Sequence, residues 1–314
     1  TRAEIERSMT TAPLPTAPAI TLVDDELHWR QTRPAAPGRL LVPALDHRSF
    51  FEAMFERGGL DRDRIAHLKG LIFAGGRAAF SALGLPEHET GFIVDAEYGA
   101  PLLDFERGRW RARPIEVSSD EPLAFAGGVD VSLELLRWPA RQIVKCKVVY
   151  HPDAPLEVRT RQEALLGQLQ HACRSLDRTL LLEVVPMLDG AEDFGASVRA
   201  VDALYAAGLA PDWWKLPPPD DALTWAALEQ VVLERDPHCS GILLLGNGLS
   251  TPELERRMSW AKASRVCRGF AFGRTVFAEP AAAWVRGDID DAAVVQQVKD
   301  RLVSLIDLWS SGAD

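Results

Sequence analysis

Arg39-Leu-Leu-Val-Pro-Ala-Leu-Asp-His-Arg48 decides the fold: an apolar run that ends in a carboxylate, an imidazole and a guanidinium. A short, nearly continuous apolar run predicts a strand covered on both faces. An open doubly wound sheet usually follows its first strand with a glycine fingerprint that admits a phosphate. Asp46-His47-Arg48 has no glycine. It places polar chemistry at a strand's C-terminal end, where a TIM barrel builds its active site.

Working outward, similar short runs recur at 91–95, 113–118, 143–150, 180–185, 213–216, 242–245 and 269–272, several of them rich in Val, Leu and Ile. Amphipathic stretches at 64–83, 160–176, 197–207, 223–235, 252–264 and 292–309 predict the helices between them. Strands alternating with helices are the mark of βα units. Eight of them over residues 39–314 predict a (β/α)8 TIM barrel. Residues 1–38 differ, with Pro13, Pro15, Pro18, Pro34 and Pro37 among scattered Thr and Ala. That density reads as an extended Pro-rich N-terminal extension or linker, and the opening residues read as the end of a preceding domain.

Composition bounds the chemistry. The chain has 314 residues, 47% of them hydrophobic and 25% charged, which is a globular balance. Its formal charge of −10 disfavours nucleic acid, whose affinity rests on neutralised phosphates, and anionic membrane surfaces alike. Cys146, Cys173, Cys239 and Cys267 form no close pairs, so four separate thiols in a reducing compartment are expected. No apolar stretch approaches the ~20 residues of a membrane span, and the opening residues carry no apolar run of the signal-peptide kind. A cytoplasmic protein is expected. The seven histidines are isolated, so zinc chemistry is not expected and no cofactor is implied.

The strand ends supply the candidate site. Lys215 follows Trp213 and Trp214 and precedes Leu216-Pro217. A lysine desolvated by such neighbours favours the neutral amine, which can attack a ketone and form a Schiff base; the alternative is a structural ion pair. Glu183 lies among apolar residues, where burial is expected to raise its pKa toward neutrality, as suits an acid/base group. If Glu183 and Lys215 share a site, each reading supports the other. Lys145 and Lys147 alternate and so face the same way, with His151 continuing the parity. Of the two, Lys147 is the one expected to pair with Glu116 or Asp46. Gly246-Asn247-Gly248 and Gly273-Arg274-Thr275 end the seventh and eighth strands, the usual phosphate position of such barrels. Asp95, Glu97 and Tyr98 end the second strand, and Ser118 and Ser119 the third.

Val94-Asp-Ala-Glu-Tyr-Gly99, Leu181-Leu-Glu183, Trp214-Lys-Leu216 and Gly273-Arg-Thr275 resemble, in this order, the class I aldolases of the tagatose 1,6-bisphosphate aldolase type. Leu45-Asp-His-Arg48, Ala112-Arg-Pro-Ile-Glu-Val117, Val144-Lys-Cys146, Tyr150-His-Pro-Asp153 and Pro211-Asp-Trp-Trp-Lys215 look closer still to the aldolase domain of inositol catabolism. That domain is often fused behind a 5-dehydro-2-deoxygluconokinase. The resemblance spans residues 39–309. It implies a metal-independent lyase acting on a phosphorylated keto acid, with fusion to a sugar kinase and a homo-oligomer as expected partners. By it, Lys215 would form the Schiff base, Glu183 would act as acid/base, and Asp46 and Lys145 would assist. Arg274, Gly273, Gly246 and Gly248 would hold the phosphate. Arg48 and His151 are candidates for a substrate carboxylate, and Tyr98 for a further substrate contact. Lys147 stands where the resemblance leads one to expect an apolar residue, and could perturb Lys215. A related aldolase or transaldolase of another phosphorylated or sulfonated ketose, and a catalytically silent barrel partnering a kinase, are the competing readings.

Overall fold

Each apolar run becomes a parallel strand because its residues bury one side toward a barrel axis and the other toward helices. The strands are β1 (Leu40–Pro43), β2 (Gly91–Ile93), β3 (Trp110–Pro114), β4 (Ile143–Val149), β5 (Leu180–Val185), β6 (Trp213–Leu216), β7 (Gly241–Leu245) and β8 (Cys267–Phe272). These come from a computed structural model that describes residues 35–104, 108–117, 122–128, 130–246 and 248–311. The expected extension falls largely on residues 1–34, outside the described part, as do Ser118, Ser119 and Asn247.

The strands pair in the order β1-β8-β7-β6-β5-β4-β3-β2. Parallel bridges Leu41↔Thr90 and Ala44↔Ile93 bring β1 back to β2, with the Leu45 N–H donating to the Ile93 carbonyl at 2.7 Å. The sheet thus comes round into a (β/α)8 barrel. Its helices are α1 (Arg48–Arg57), α2 (Ile65–Ala82), α3 (Ala96–Asp104), α4 (Val131–Leu136), α5 (Leu156–Ser175), α6 (Ser197–Ala206), α7 (Ala222–Arg235), α8 (Thr251–Ala263), α9 (Arg274–Val285) and α10 (Asp291–Ser310). Among the described residues no helix is long and apolar enough to cross a membrane.

The third strand lies earlier than the 113–118 expected from the sequence. Its outward residues are arginines that carry their own partners: Arg111 donates to the Leu103 carbonyl, and the Arg113 guanidinium lies 4.0 Å from the Trp138 ring centroid. Charge on a covered face hid the start of the strand, not its existence. Helices α1, α3, α4 and α9 were not anticipated either. Proline reads as a helix stop, yet Pro101 sits inside α3 and Pro280 inside α9.

Strand parity divides the core in two. Leu40, Val42, Ala44, Ile93, Ala112, Ile143, Leu181, Trp213, Leu243 and Ala271 pack inside the barrel. Their outward neighbours, among them Leu41, Val144, Leu182, Trp214, Leu244 and Phe270, join the larger cluster under the helices. Closure between β1 and β8 depends on Gly269. At φ +147° it stands opposite Leu40, whose carbonyl oxygen would lie 2.0 Å from an added Cβ. Gly269→Ala is expected to cost about 3 kcal/mol through strain and overpacking. A denaturant midpoint equal to that of the parent would contradict this account of closure.

Candidate active site

Inside the barrel, the apolar layer gives way to charge at the C-terminal strand ends. On β4, Ile143, Lys145 and Lys147 share the inward face; on β5, Leu181 and Glu183; on β6, Trp213 and Lys215. Asp46 and Glu116 follow the ends of β1 and β3.

Lys145 is the hub. Its Nζ lies 2.9 Å from Asp46 Oδ2, 2.6 Å from Glu116 Oε1 and 3.2 Å from Glu183 Oε2. Lys215 Nζ donates to that same Glu183 Oε2 at 2.9 Å. All five of these side chains are at least nine-tenths buried, and Lys215 is only 1% exposed. Burial of this kind is tolerated because every charge has an opposite one in reach.

Burial pulls each group toward neutrality, and the partners decide the outcome. For Lys145, the three carboxylates outweigh desolvation and raise its pKa well above the usual value, so it stays an ammonium. For Asp46, burial opposes ionisation, but Lys145 and Lys215 hold the carboxyl far below the usual range. Glu183 is likewise opposed by burial and drawn down by Lys145 and Lys215 to about 2. The expectation that burial would raise Glu183 toward neutrality is therefore reversed: the two lysines beside it override the apolar wall. His47 goes the other way, because burial outweighs the pull of Asp46 and lowers it to about 4.

Above this cluster opens a cavity of about 330 Å³. Asp46, His47, Arg48, Glu116, Lys145, Lys147, Glu183 and Arg274 supply its polar wall. Four buried atoms on that wall have no hydrogen-bond partner: Asp46 Oδ1, His47 Nδ1, Arg48 Nε and Glu116 Oε2. Such groups are costly unless a ligand or solvent satisfies them.

The structure gathers Asp46, Lys145, Glu183, Lys215, Arg48 and Arg274 at or beneath this cavity. Lys215 is not on the wall itself and meets it through Glu183. The pairing expected of Lys147 belongs to Lys145, which is two residues lower on the same strand face and so level with Asp46 and Glu116. Lys147 lines the cavity instead. The two tryptophans do not shelter Lys215 together. Trp213 packs in the barrel layer beside it, whereas Trp214 points outward and donates its indole N–H to the Tyr205 hydroxyl at 2.8 Å.

Tyr98 and His151 are not on the cavity wall. The Tyr98 hydroxyl donates to Glu52 Oε1 at 2.8 Å, and Asp95 is taken by Lys69. His151 accepts the Asp153 backbone N–H at Nδ1 and meets Asp193 Oδ2 at 3.3 Å through Nε2. Gly246 and Gly273 allow close approach: an added Cβ would meet Thr275 Oγ1 at 2.4 Å and His47 Cε1 at 2.2 Å. Gly248 sits at φ +72° in the same loop region. Arg274 opens α9 with Gly273 as its N-cap, so the helix N-terminus and a guanidinium meet near the cavity, an arrangement suited to an anion.

Three elements of the site escaped the sequence. Glu116 was expected only as a partner of Lys147, and His47 was given no role. The cavity is also lined by Met187 and Glu192 from a short hairpin, Met187–Leu188 with Ala191–Glu192. Its signal was present in Asp189-Gly190, both at positive φ, the dipeptide of a tight hairpin turn. Among the described residues, no group of three or more His, Cys, Asp and Glu side chains is placed to hold a metal ion.

These shifts make stability depend on acid in two steps. His47 titrates at about 4 in the folded chain against an ordinary 6.5, so the unfolded chain binds the proton first and stability falls between those values as pH drops. Glu183 titrates at about 2 against 4.5, so its contribution is present above 4.5 and lost as pH falls toward 2. Denaturant midpoints measured between about pH 7 and pH 3 are expected to show both steps. His47→Asn should remove the upper one alone; an unchanged upper step in that variant would contradict the assignment.

Sequence and structure comparisons bear on the same residues. The sequence profile of a family described as an uncharacterized protein conserved in bacteria, DUF2090, matches residues 9–313. Among solved structures, Cgl0159 from Corynebacterium glutamicum (Brevibacterium flavum) is similar with a TM-score of 0.53 and 19% identity, over 88% of this chain and 91% of that one. A fructose-bisphosphate aldolase from Slackia heliotrinireducens is similar with a TM-score of 0.53 and 12% identity, over 92% of this chain and 94% of that one. At these identities the likeness is one of fold. No curated protein sequence matches the chain.

Proposed function

The chain belongs to the DUF2090 family, and we propose that it is a Schiff-base aldolase that cleaves 6-phospho-5-dehydro-2-deoxy-D-gluconate to dihydroxyacetone phosphate and malonate semialdehyde. The observation that carries this reading is the pair Lys215–Glu183 at 2.9 Å, buried at the C-terminal mouth of a barrel beneath a cavity edged by Arg274. Likeness of fold to a fructose-bisphosphate aldolase supports it, as do the aldolase-like motifs around Glu183, Lys215 and Arg274.

Lys215 is favoured over Lys145 as the nucleophile. Lys145 is held as an ammonium by three carboxylates, whereas Lys215 has one carboxylate contact, to Glu183. Attack of the Lys215 amine on the substrate ketone, with loss of water, forms an iminium. The hydroxyl on the carbon beyond the breaking bond gives up its proton and becomes a carbonyl as the carbon–carbon bond breaks. The bond's electron pair moves into the iminium and leaves an enamine on Lys215, and malonate semialdehyde departs. Protonation of the enamine carbon and hydrolysis release dihydroxyacetone phosphate and the free amine. Glu183 is the group in reach of Lys215 Nζ for the proton transfers. Arg274 and the N-terminus of α9 would hold the phosphate, and Arg48 a second anionic group.

Borohydride reduction in the presence of dihydroxyacetone phosphate tests the reading. A mass increment on Lys215 is expected. No increment on any lysine would remove the Schiff base, and would favour a silent barrel. A panel of phosphorylated and sulfonated keto sugars, assayed for release of the three-carbon product, tests the substrate.

A further inference from the structure

Asp46 and His47 turn two unsatisfied atoms toward the same space. Asp46 Oδ1 and His47 Nδ1 are both buried, neither has a hydrogen-bond partner, and they lie 3.7 Å apart on the cavity wall. That separation is too long for a direct hydrogen bond and is spanned by one oxygen placed about 2.8 Å from each. Asp46 is kept ionised, because its other oxygen is bound to Lys145 at 2.9 Å, so Oδ1 can only accept. The carboxylate's charge in turn favours the imidazole tautomer with its proton on Nδ1, which can only donate. A group that donates to one atom and accepts from the other carries an O–H: a bridging water, or a substrate hydroxyl that displaces it.

The imidazole is held rigidly for this task. Its ring meets Phe277 edge-on at 5.7 Å between centroids. Gly273 lies against the ring edge that carries Cε1 and Nδ1, so closely that a Cβ there would stand 2.2 Å from Cε1, 2.9 Å from Nδ1 and 2.8 Å from the Ala44 carbonyl oxygen; glycine leaves Nδ1 the room a side chain would take. The ring is thus fixed between the end of β8 and α9, with little freedom to turn Nδ1 away from Asp46.

We infer that Asp46 and His47 form a hydroxyl clamp that selects substrates bearing a hydroxyl on the carbon next to the reacting ketone. This deepens the aldolase reading and rests on it for the position of that hydroxyl. In a ketose bound at Lys215, the hydroxyl adjoining the carbonyl is the one nearest Nζ, and Lys215 lies close enough to act on the charge of both Asp46 and His47. A site built for a hydroxyl discriminates strongly against the deoxy analogue, because the clamp's buried donor and acceptor are then left unpaired.

The test compares binding of dihydroxyacetone phosphate with that of hydroxyacetone phosphate, which lacks only this hydroxyl, by calorimetry on the full chain. Wild type is expected to bind the first at least about 10-fold more tightly. His47→Ala should reduce the difference to within about 3-fold. His47→Asn, whose amide nitrogen takes the place of Nδ1, should keep most of it. Equal affinity for the two ketones in wild type overturns the clamp without need of any variant, as does failure to bind either. Preference undiminished in a folded His47→Ala overturns the part assigned to the imidazole. Borohydride trapping on the same samples reads the Schiff base separately: no adduct with the binding preference intact removes the aldolase reading and leaves the clamp standing.

Discussion

Lys215→Met is expected to lower turnover by at least about 10⁴-fold while leaving the chain folded, because the nucleophile of a covalent mechanism has no substitute in the remaining steps. Methionine matches the length of the buried stem and fits beside Trp213 and Leu243. Removing the Lys215 nitrogen does not strand Glu183, since Lys145 Nζ remains 3.2 Å from the same Oε2. A thermal melt close to that of the parent, with the borohydride adduct gone, is the expected pair of results. Turnover within tenfold of the parent would show that Lys215 does not carry the chemistry. An adduct moved to Lys147, which lines the cavity, would keep the aldolase reading and change only the residue.

Lys145→Met is expected to act on stability as well. It removes the ammonium that Asp46, Glu116 and Glu183 share, while Glu183 keeps Lys215 at 2.9 Å. Buried charges left without a partner cost about 3–5 kcal/mol, enough to unfold many domains at physiological temperature. The effect has a distinguishing pH dependence. Without Lys145, desolvation acts on Asp46 with less opposition and raises its folded pKa, so protonation relieves the folded chain first. The deficit relative to wild type should therefore shrink as pH falls. Combining Lys145→Met with Asp46→Asn and Glu116→Gln should recover part of the loss at neutral pH. A single variant as stable as the parent, with a flat pH difference, would mean that Lys145 does not hold the cluster together.

Much of this architecture is written in local sequence pattern. The eight apolar runs define eight strands because a strand buried on both faces needs little else, and the polar residues ending them mark the mouth of a barrel. Parity along β4, β5 and β6 also puts Lys145, Lys147, Glu183 and Lys215 on the inward face, since alternation is a property of the single strand. The β3 strand was less legible. Its run was expected to begin at Arg113, and the place of Arg111 in a covered strand follows only from its partner on a neighbouring element.

Position along the barrel axis is different in kind. Lys145 and Lys147 have the same parity, and nothing in either residue says which one stands level with Asp46 and Glu116. The stagger of β4 against β1 and β3 decides that, and with it the choice of hub. The sign of the Glu183 shift follows from the same arrangement: burial can be read from its apolar neighbours in sequence, but the two lysines that outweigh it come from other strands. His47 is a further case. Its fixed ring depends on Gly273 and Phe277, brought beside it only when β8 pairs with β1. Sequence thus determined which side chains of one strand share a face, because alternation is local. Tertiary structure decided which charges pair, because Coulomb energies depend on distances between strands that no single strand contains.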